Sequence, residues 1–211
     1  MNIDDADGYS NIFQIADEEP SCDFSDGVAL IYCGNEGFCI DKEGNRLNVK
    51  NPVGMHKQGL IAFRDKDTEL YGFADKDGNI VVPAIYSHVF DFSQSGIALV
   101  TSTESYSIPE EAEKFECEAC YRGYIDTQGN VVIPIEFEQP WWLLGMKGFF
   151  EPFESYGIVS LYKQGYIYYY RYDGTLLGKK PRMAYVSYEN ESYKINVAEY
   201  WQWVNDGKAV G

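Results

Sequence analysis

YGFADKDGNIVVP, Tyr71 to Pro83, is written almost again as RGYIDTQGNVVIP, Arg122 to Pro134. A looser copy, FCIDKEGN, covers Phe38 to Asn45. The D-x-x-G core reads as a hairpin connection. Aspartate at the first turn position can accept nearby backbone N–H groups, and glycine suits the left-handed position that follows. Asp41, Asp75 and Asp126 are therefore turn aspartates first. The β-branched runs after them, at Ile80 and Val131, predict strands, and Pro83 and Pro134 are expected to close those strands because proline cannot donate to a continuing ladder.

A second phrase recurs as a glycine before small and aliphatic residues: GVALI at Gly27, GLIAF at Gly59, GIALV at Gly96 and GIVSL at Gly157. Two of these follow DFS, at Asp23 and Asp91. Each repeat is then one hairpin plus a connecting strand. Asp41 to Asp75 spans 34 residues, and Phe24 to Phe92 spans twice that, so the period is about 34. Departures from it locate insertions. Asp75 to Asp126 exceeds it by 17 residues, taken up by Thr101–Tyr121, and a further ten lie around Trp141–Phe150. A degenerate fourth unit follows, with RYDGT at Arg171 in the turn position.

From Phe24 to Leu177 this pattern resembles the WG-repeat (KWG-repeat) family, whose unit reads approximately W-G-aromatic-I-D-x-x-G-x-x-V-I-P-x-x-Y/F and then F-x-x-G-x-A-x-V. Tyr71, Gly72, Phe73, Asp75, Gly78, Val82, Pro83, Tyr86, Phe92, Gly96 and Ala98 carry the likeness. Gly123, Tyr124, Asp126, Gly129, Ile133, Pro134 and Phe137 carry it in the next unit. The naming tryptophan is absent: Glu36 or Gly37, Tyr71 and Arg122 stand in its place. The resemblance implies a β-repeat architecture that mediates interactions, without a common catalytic activity.

The fold expected is all-β: tandem antiparallel hairpin repeats in one elongated or curved domain, residues 23–178. Residues 1–22 form an acidic tail or cap, and residues 179–211 form a C-terminal cap. In that cap, NVAEYWQWVNDG fits a helix, with Asn196 as N-cap, Glu199 completing a capping box and Gly207 as stop. It is expected to cover the last open sheet edge.

Seventeen basic against 33 acidic residues give a net charge of −16. Such a field repels phosphate backbones and anionic membranes, so nucleic acid and membrane are not expected partners, and a basic protein is. The N-terminal residues have neither a basic start nor a long apolar run, which predicts a cytoplasmic protein. Five cysteines, Cys22, Cys33, Cys39, Cys117 and Cys120, are odd in number and irregularly spaced, so reduced thiols are expected.

Catalytic chemistry finds little to use. CEAC, at Cys117 and Cys120, has the spacing of half a zinc knuckle, but no second pair stands at a suitable distance. His56 and His88 are the two histidines, and no nucleophile elbow, phosphate-binding glycine loop or H-E-x-x-H motif accompanies them. The recurring aspartates occupy identical places, whereas an acid–base pair needs two different environments. No cofactor, metal or catalytic residue is assigned, and the protein is read as non-enzymatic.

Binding is the remaining reading. Specificity should come from what interrupts the repeats. Glu110, Glu111, Glu113 and Glu116 in the first insertion would steer a basic surface; Trp141, Trp142, Phe149 and Phe150 in the second would anchor it, unless they build extra core. One concrete form is an acidic immunity or inhibitor protein that neutralises a basic bacterial toxin or nuclease. The alternative is a carbohydrate- or peptidoglycan-binding module that uses the aromatic run YKQGYIYYYRYDG, Tyr162 to Gly174.

Overall fold

A computed structural model describes residues 24–33, 36–105, 120–138, 157–188 and 191–196. Among them all regular structure is strand. In chain order the strands are β1 (Val28–Cys33), β2 (Glu36–Asp41), β3 (Leu60–Arg64), β4 (Tyr71–Asp75), β5 (Ile80–Tyr86), β6 (His88–Val89) and β7 (Ile97–Ser105). They continue as β8 (Cys120–Asp126), β9 (Val131–Phe137), β10 (Ile158–Lys163), β11 (Tyr166–Arg171), β12 (Leu176–Pro181), β13 (Met183–Tyr188) and β14 (Glu191–Asn196). The sheets run β1-β2, β3-β4-β5, β6-β7-β8-β9, β10-β11-β12 and β13-β14. Hairpin repeats are thus confirmed as the fold. Contacts group the chain into two compact units, Met1–Val100 with Ile125–Asn130, and Thr101–Tyr124 with Val131–Gly211.

Turns with two residues at positive φ open the first two repeats, at Asp26-Gly27 and Gln58-Gly59, and join β10 to β11 at Gln164-Gly165; the angles run from 48° to 82°, the type I′ geometry whose twist matches two antiparallel strands. The D-x-x-G-N turn closes the second hairpin. Asp75 N–H donates to the Asn79 carbonyl and Gly78 N–H to the Asp75 carbonyl, both at 3.0 Å. The same pair of bonds recurs at Asp41, Asp126 and Arg171, so RYDGT is the fourth turn. There Arg171 replaces aspartate, and Asp173 accepts the Thr175 N–H at 2.9 Å instead. Gly174, at φ 83°, keeps the turn possible.

Burial follows the repeat. In β5, Val82 and Tyr86 point inward and Ile80, Val81 and Ile85 outward; in β9, Ile133 and Phe137 occupy the equivalent buried places. Within the first unit, Val28, Cys39, Val49, Ile61, Phe63 and Ala74 form one buried cluster. Phe73 meets Phe92 with ring centroids 4.7 Å apart. In the second unit Phe137 is fully buried and packs edge-on against Tyr168 and Tyr170, at 5.4 and 5.7 Å.

The prolines do not close their strands. β5 and β9 run three residues beyond Pro83 and Pro134. β4 pairs Tyr71 with Tyr86 and Phe73 with Val82, so a two-residue step on β4 faces a four-residue step on β5. Pro83 sits in this bulge on an outer strand of its sheet, one of the few strand positions that need no ladder donor. The bulged backbone presses onto Gly72, where a Cβ would run into Val82, Pro83 and Ala84. Gly123 meets the same crossing, with Pro134 O 2.5 Å from where a Cβ would stand. The glycine of the aromatic-Gly pair is thus a packing requirement.

The expected C-terminal helix, residues 197–207, lies outside the described residues, as does the acidic segment 1–22. Asn196, assigned to the helix N-cap, ends β14. That strand pairs with β13 from Met183↔Asn196 to Tyr188↔Glu191.

Candidate functional site

The glutamates Glu110, Glu111, Glu113 and Glu116 and the aromatics Trp141, Trp142, Phe149 and Phe150 lie outside the described residues. Their roots are described. The first insertion returns to the fold at Cys120, where β8 begins, and the second departs after Glu138, just past β9. A four-residue turn joins β8 to β9, so the two strands run in opposite directions. The start of β8 and the end of β9 therefore lie at the same end of this hairpin. One end of one repeat carries a root of each insertion.

That end is fixed by specific contacts. Glu138 N–H donates to the Tyr162 carbonyl at 2.7 Å, and its carboxylate accepts the Gln164 N–H at 3.3 Å. Burial raises the Glu138 carboxyl above the ordinary glutamate range, against the opposing pull of the Gln164 bond and the Lys163 charge. Glu136 pairs with Lys163 at 2.9 Å. Beneath them Phe137 fills the core. The departure point of the second insertion is thus fastened to the β10–β11 hairpin on three consecutive residues.

The repeated aspartates are fully engaged in their turns. Oδ1 accepts the backbone N–H four residues on at 2.7, 2.9 and 2.8 Å for Asp41, Asp75 and Asp126, and Oδ2 accepts the Asn side-chain amide at 2.9, 2.8 and 2.9 Å. The side-chain and backbone bonds from Asn45 and Asn79 hold Asp41 and Asp75 below the usual carboxylate range. At Asp126 burial pushes upward, and the bonds from Asn130, Gln128 and Gly129 together outweigh it. Three like environments give no separation of acid from base.

A group with a depressed folded-state pKa adds stability above its unfolded pKa, and that stability disappears as pH falls through the folded value. Asp75→Ala is accordingly expected to lower the melting temperature modestly at neutral pH. The gap from the wild type should close on the acid side of the carboxylate range, as followed by thermal melts across pH. A gap that persists in acid would show that the carboxylate charge is not what the turn uses.

Of the cysteines, Cys39 and Cys120 are buried; burial pushes the Cys39 thiol up to about 11, so it is a poor nucleophile near neutrality. Cys117 lies outside the described residues. His88 stacks on Tyr71 with centroids 5.5 Å apart. His56 is buried in the first unit, where its carbonyl accepts the Ser25 hydroxyl at 2.6 Å.

The tyrosine run is divided by the pleat. Tyr168 and Tyr170 face Phe137, while Lys179 Nζ lies 4.5 Å from the Tyr166 ring centroid and 5.3 Å from that of Tyr168. Lys180 lies 5.3 Å from the Tyr169 ring on the other face. Much of the surface that would stack on sugar is therefore used for packing and cation–π contact.

Sequence reasoning missed a second series of linked turns. Gln58 N–H donates to the Asp26 carboxylate at 3.1 Å and its side chain to the Gln94 carbonyl at 3.2 Å. The Asp91 carboxylate accepts Met55 N–H at 3.1 Å. Successive repeats are thus joined at their opening turns, which the polar residue before each recurring glycine could have suggested only for Asp26 and Gln58.

Against known families, residues 71–102 and 123–139 match the WG containing repeat. No curated protein and no solved structure matches the chain.

Proposed function

We propose that this chain, built on WG repeats, is a non-enzymatic binding module whose partner is a protein with a basic surface. The observation that carries the reading is the common root of the two insertions at one end of the β8–β9 hairpin. A regular repeat presents self-similar surfaces, and two irregular segments leaving from one place provide a contact region that no other repeat has.

The charge distribution supports the sign of the partner. Residues 1–23 hold seven Asp or Glu and no Lys or Arg, and Thr101–Tyr121 hold six Glu and one Lys. Residues 24–100, by contrast, hold ten acidic and seven basic residues. The acidic field thus belongs to the segments added to the repeats. An acidic immunity or inhibitor protein acting on a basic toxin or nuclease is the concrete form this takes.

Kinetics against such a basic partner test the proposal. Replacing Glu110, Glu111, Glu113 and Glu116 by glutamine should slow association and flatten its salt dependence, since exposed charges mainly steer encounter. Trp141→Ala should mainly speed dissociation, by about tenfold or more if the ring is an interface anchor. A destabilised Trp141→Ala with unchanged affinity per folded molecule would assign the second insertion to the core.

A further inference from the structure

The D-x-x-G turn does more than reverse the chain. In each later repeat its glycine lies against the segment that follows the preceding turn. A Cβ on Gly78 would run into the carbonyl oxygen of Asn48, one on Gly174 into that of Val132, and one on Gly129 would stand 3.2 Å from Val82. Asn48, Val82 and Val132 come six or seven residues after the first turn residue of their own repeat. One docking rule therefore joins repeat to repeat three times: turn glycine onto the segment that follows the previous turn, which is strand at Val82 and Val132 and irregular at Asn48. Asn48 reinforces it by donating its amide to the Asp77 carbonyl at 3.5 Å.

The rule leaves two complementary ends. In the first repeat, Gly44 has the same conformation, φ 82°, and among the described residues nothing stands within 4 Å of where its Cβ would be. In the last, Leu177 follows Arg171 by six residues, as Val132 follows Asp126. Leu177 is 45% exposed there, whereas Val82 is buried and Val132 half-buried at the corresponding places that receive a turn. Beside Leu177 opens a hollow of about 410 Å³, lined by Gly157, Ile158, Arg171, Tyr172, Asp173 and Leu177.

We propose that the first-repeat turn of one molecule, Asp41–Asn45, docks at Leu177 of a second copy, so that molecules associate head to tail by the rule that joins their own repeats. This is a heterologous contact: among the described residues each molecule has one uncovered turn and one uncovered receiving strand. The net charge of −16 opposes it, so association should strengthen with added salt as repulsion between copies is screened. Binding of a basic partner would weaken under the same change, which separates the two proposals.

The test is sedimentation velocity of the full chain over a series of protein and salt concentrations. The wild type should rise in average mass with both, to twice the monomer or beyond. Leu177→Glu, at an exposed side chain, should keep the wild-type melting temperature and remain monomeric. Its turn at Gly44 is intact, so a minor amount added to the wild type should cap growing assemblies and lower their average mass. A wild type that stays monomeric at high protein and high salt overturns the proposal. So does a Leu177→Glu protein that associates like the wild type, or one whose addition leaves wild-type assemblies unchanged.

Discussion

Gly78→Val is expected to destabilise the protein by about 3–5 kcal/mol, whereas Gly44→Val, the same substitution in the same turn one repeat earlier, should cost only about 1–2 kcal/mol. Both glycines hold positive φ, 87° and 82°, where a β-branched residue is strained by of order 1–3 kcal/mol. They differ in what lies beyond the turn. Gly78 abuts the backbone of Asn48, while nothing described stands near Gly44. The added cost at Gly78 is thus a docking cost, of the size that overpacking commonly brings. A total near the upper figure would consume much of the stability of an ordinary domain. Denaturant midpoints of the two variants measure the difference directly. Equal losses would mean that the turn conformation alone requires glycine and that repeats are not held together there.

This contrast also marks where the sequence stopped being informative. The turn itself was legible because all its determinants lie within five residues: aspartate to accept the N–H groups, glycine for the positive φ, and asparagine to close the ring of bonds. Even the fourth copy was readable through Gly174, although Arg171 had replaced its aspartate. The docking of Gly78 on Asn48 was not readable, since it depends on a neighbour 30 residues away and leaves no signature beyond a glycine already explained. Pro83 misled for a related reason. Proline ends a regular ladder, but the bulge opposite Gly72 removed the need for its donor, and a bulge is a property of two strands together. The β13–β14 hairpin did have a signal, aromatic and β-branched residues flanking Glu189-Asn190, which the cap assignment passed over. The candidate site was legible only as a place. The lengths of the two insertions identify them, and the short β8–β9 turn puts a root of each at one end.

Phe137→Ala is the second substitution with a large expected effect, about 3–5 kcal/mol, the usual cost of removing a buried phenyl ring. Phe137 is wholly buried and touches Tyr168 and Tyr170 with edge-on geometry, so the loss includes two aromatic contacts as well as the cavity. Phe137→Leu keeps most of the volume and should cost less than half as much. The position also tests how the fold supports the site. Phe137 lies between Glu136 and Glu138, whose contacts with Lys163, Tyr162 and Gln164 fasten the departure point of the second insertion. Loosening the ring beneath them should blur that point before the whole unit unfolds. Phe137→Ala should therefore weaken binding of a basic partner even under conditions where the variant remains mostly folded, and Phe137→Leu should restore it. Trp141→Ala, in the insertion itself, should weaken binding without the stability loss. The comparison is made by measuring affinity per folded molecule beside the denaturation curve of each variant. If Phe137→Ala loses stability yet binds normally when folded, the end of the β8–β9 hairpin does not position the contact, and the binding surface must be sought on the repeats.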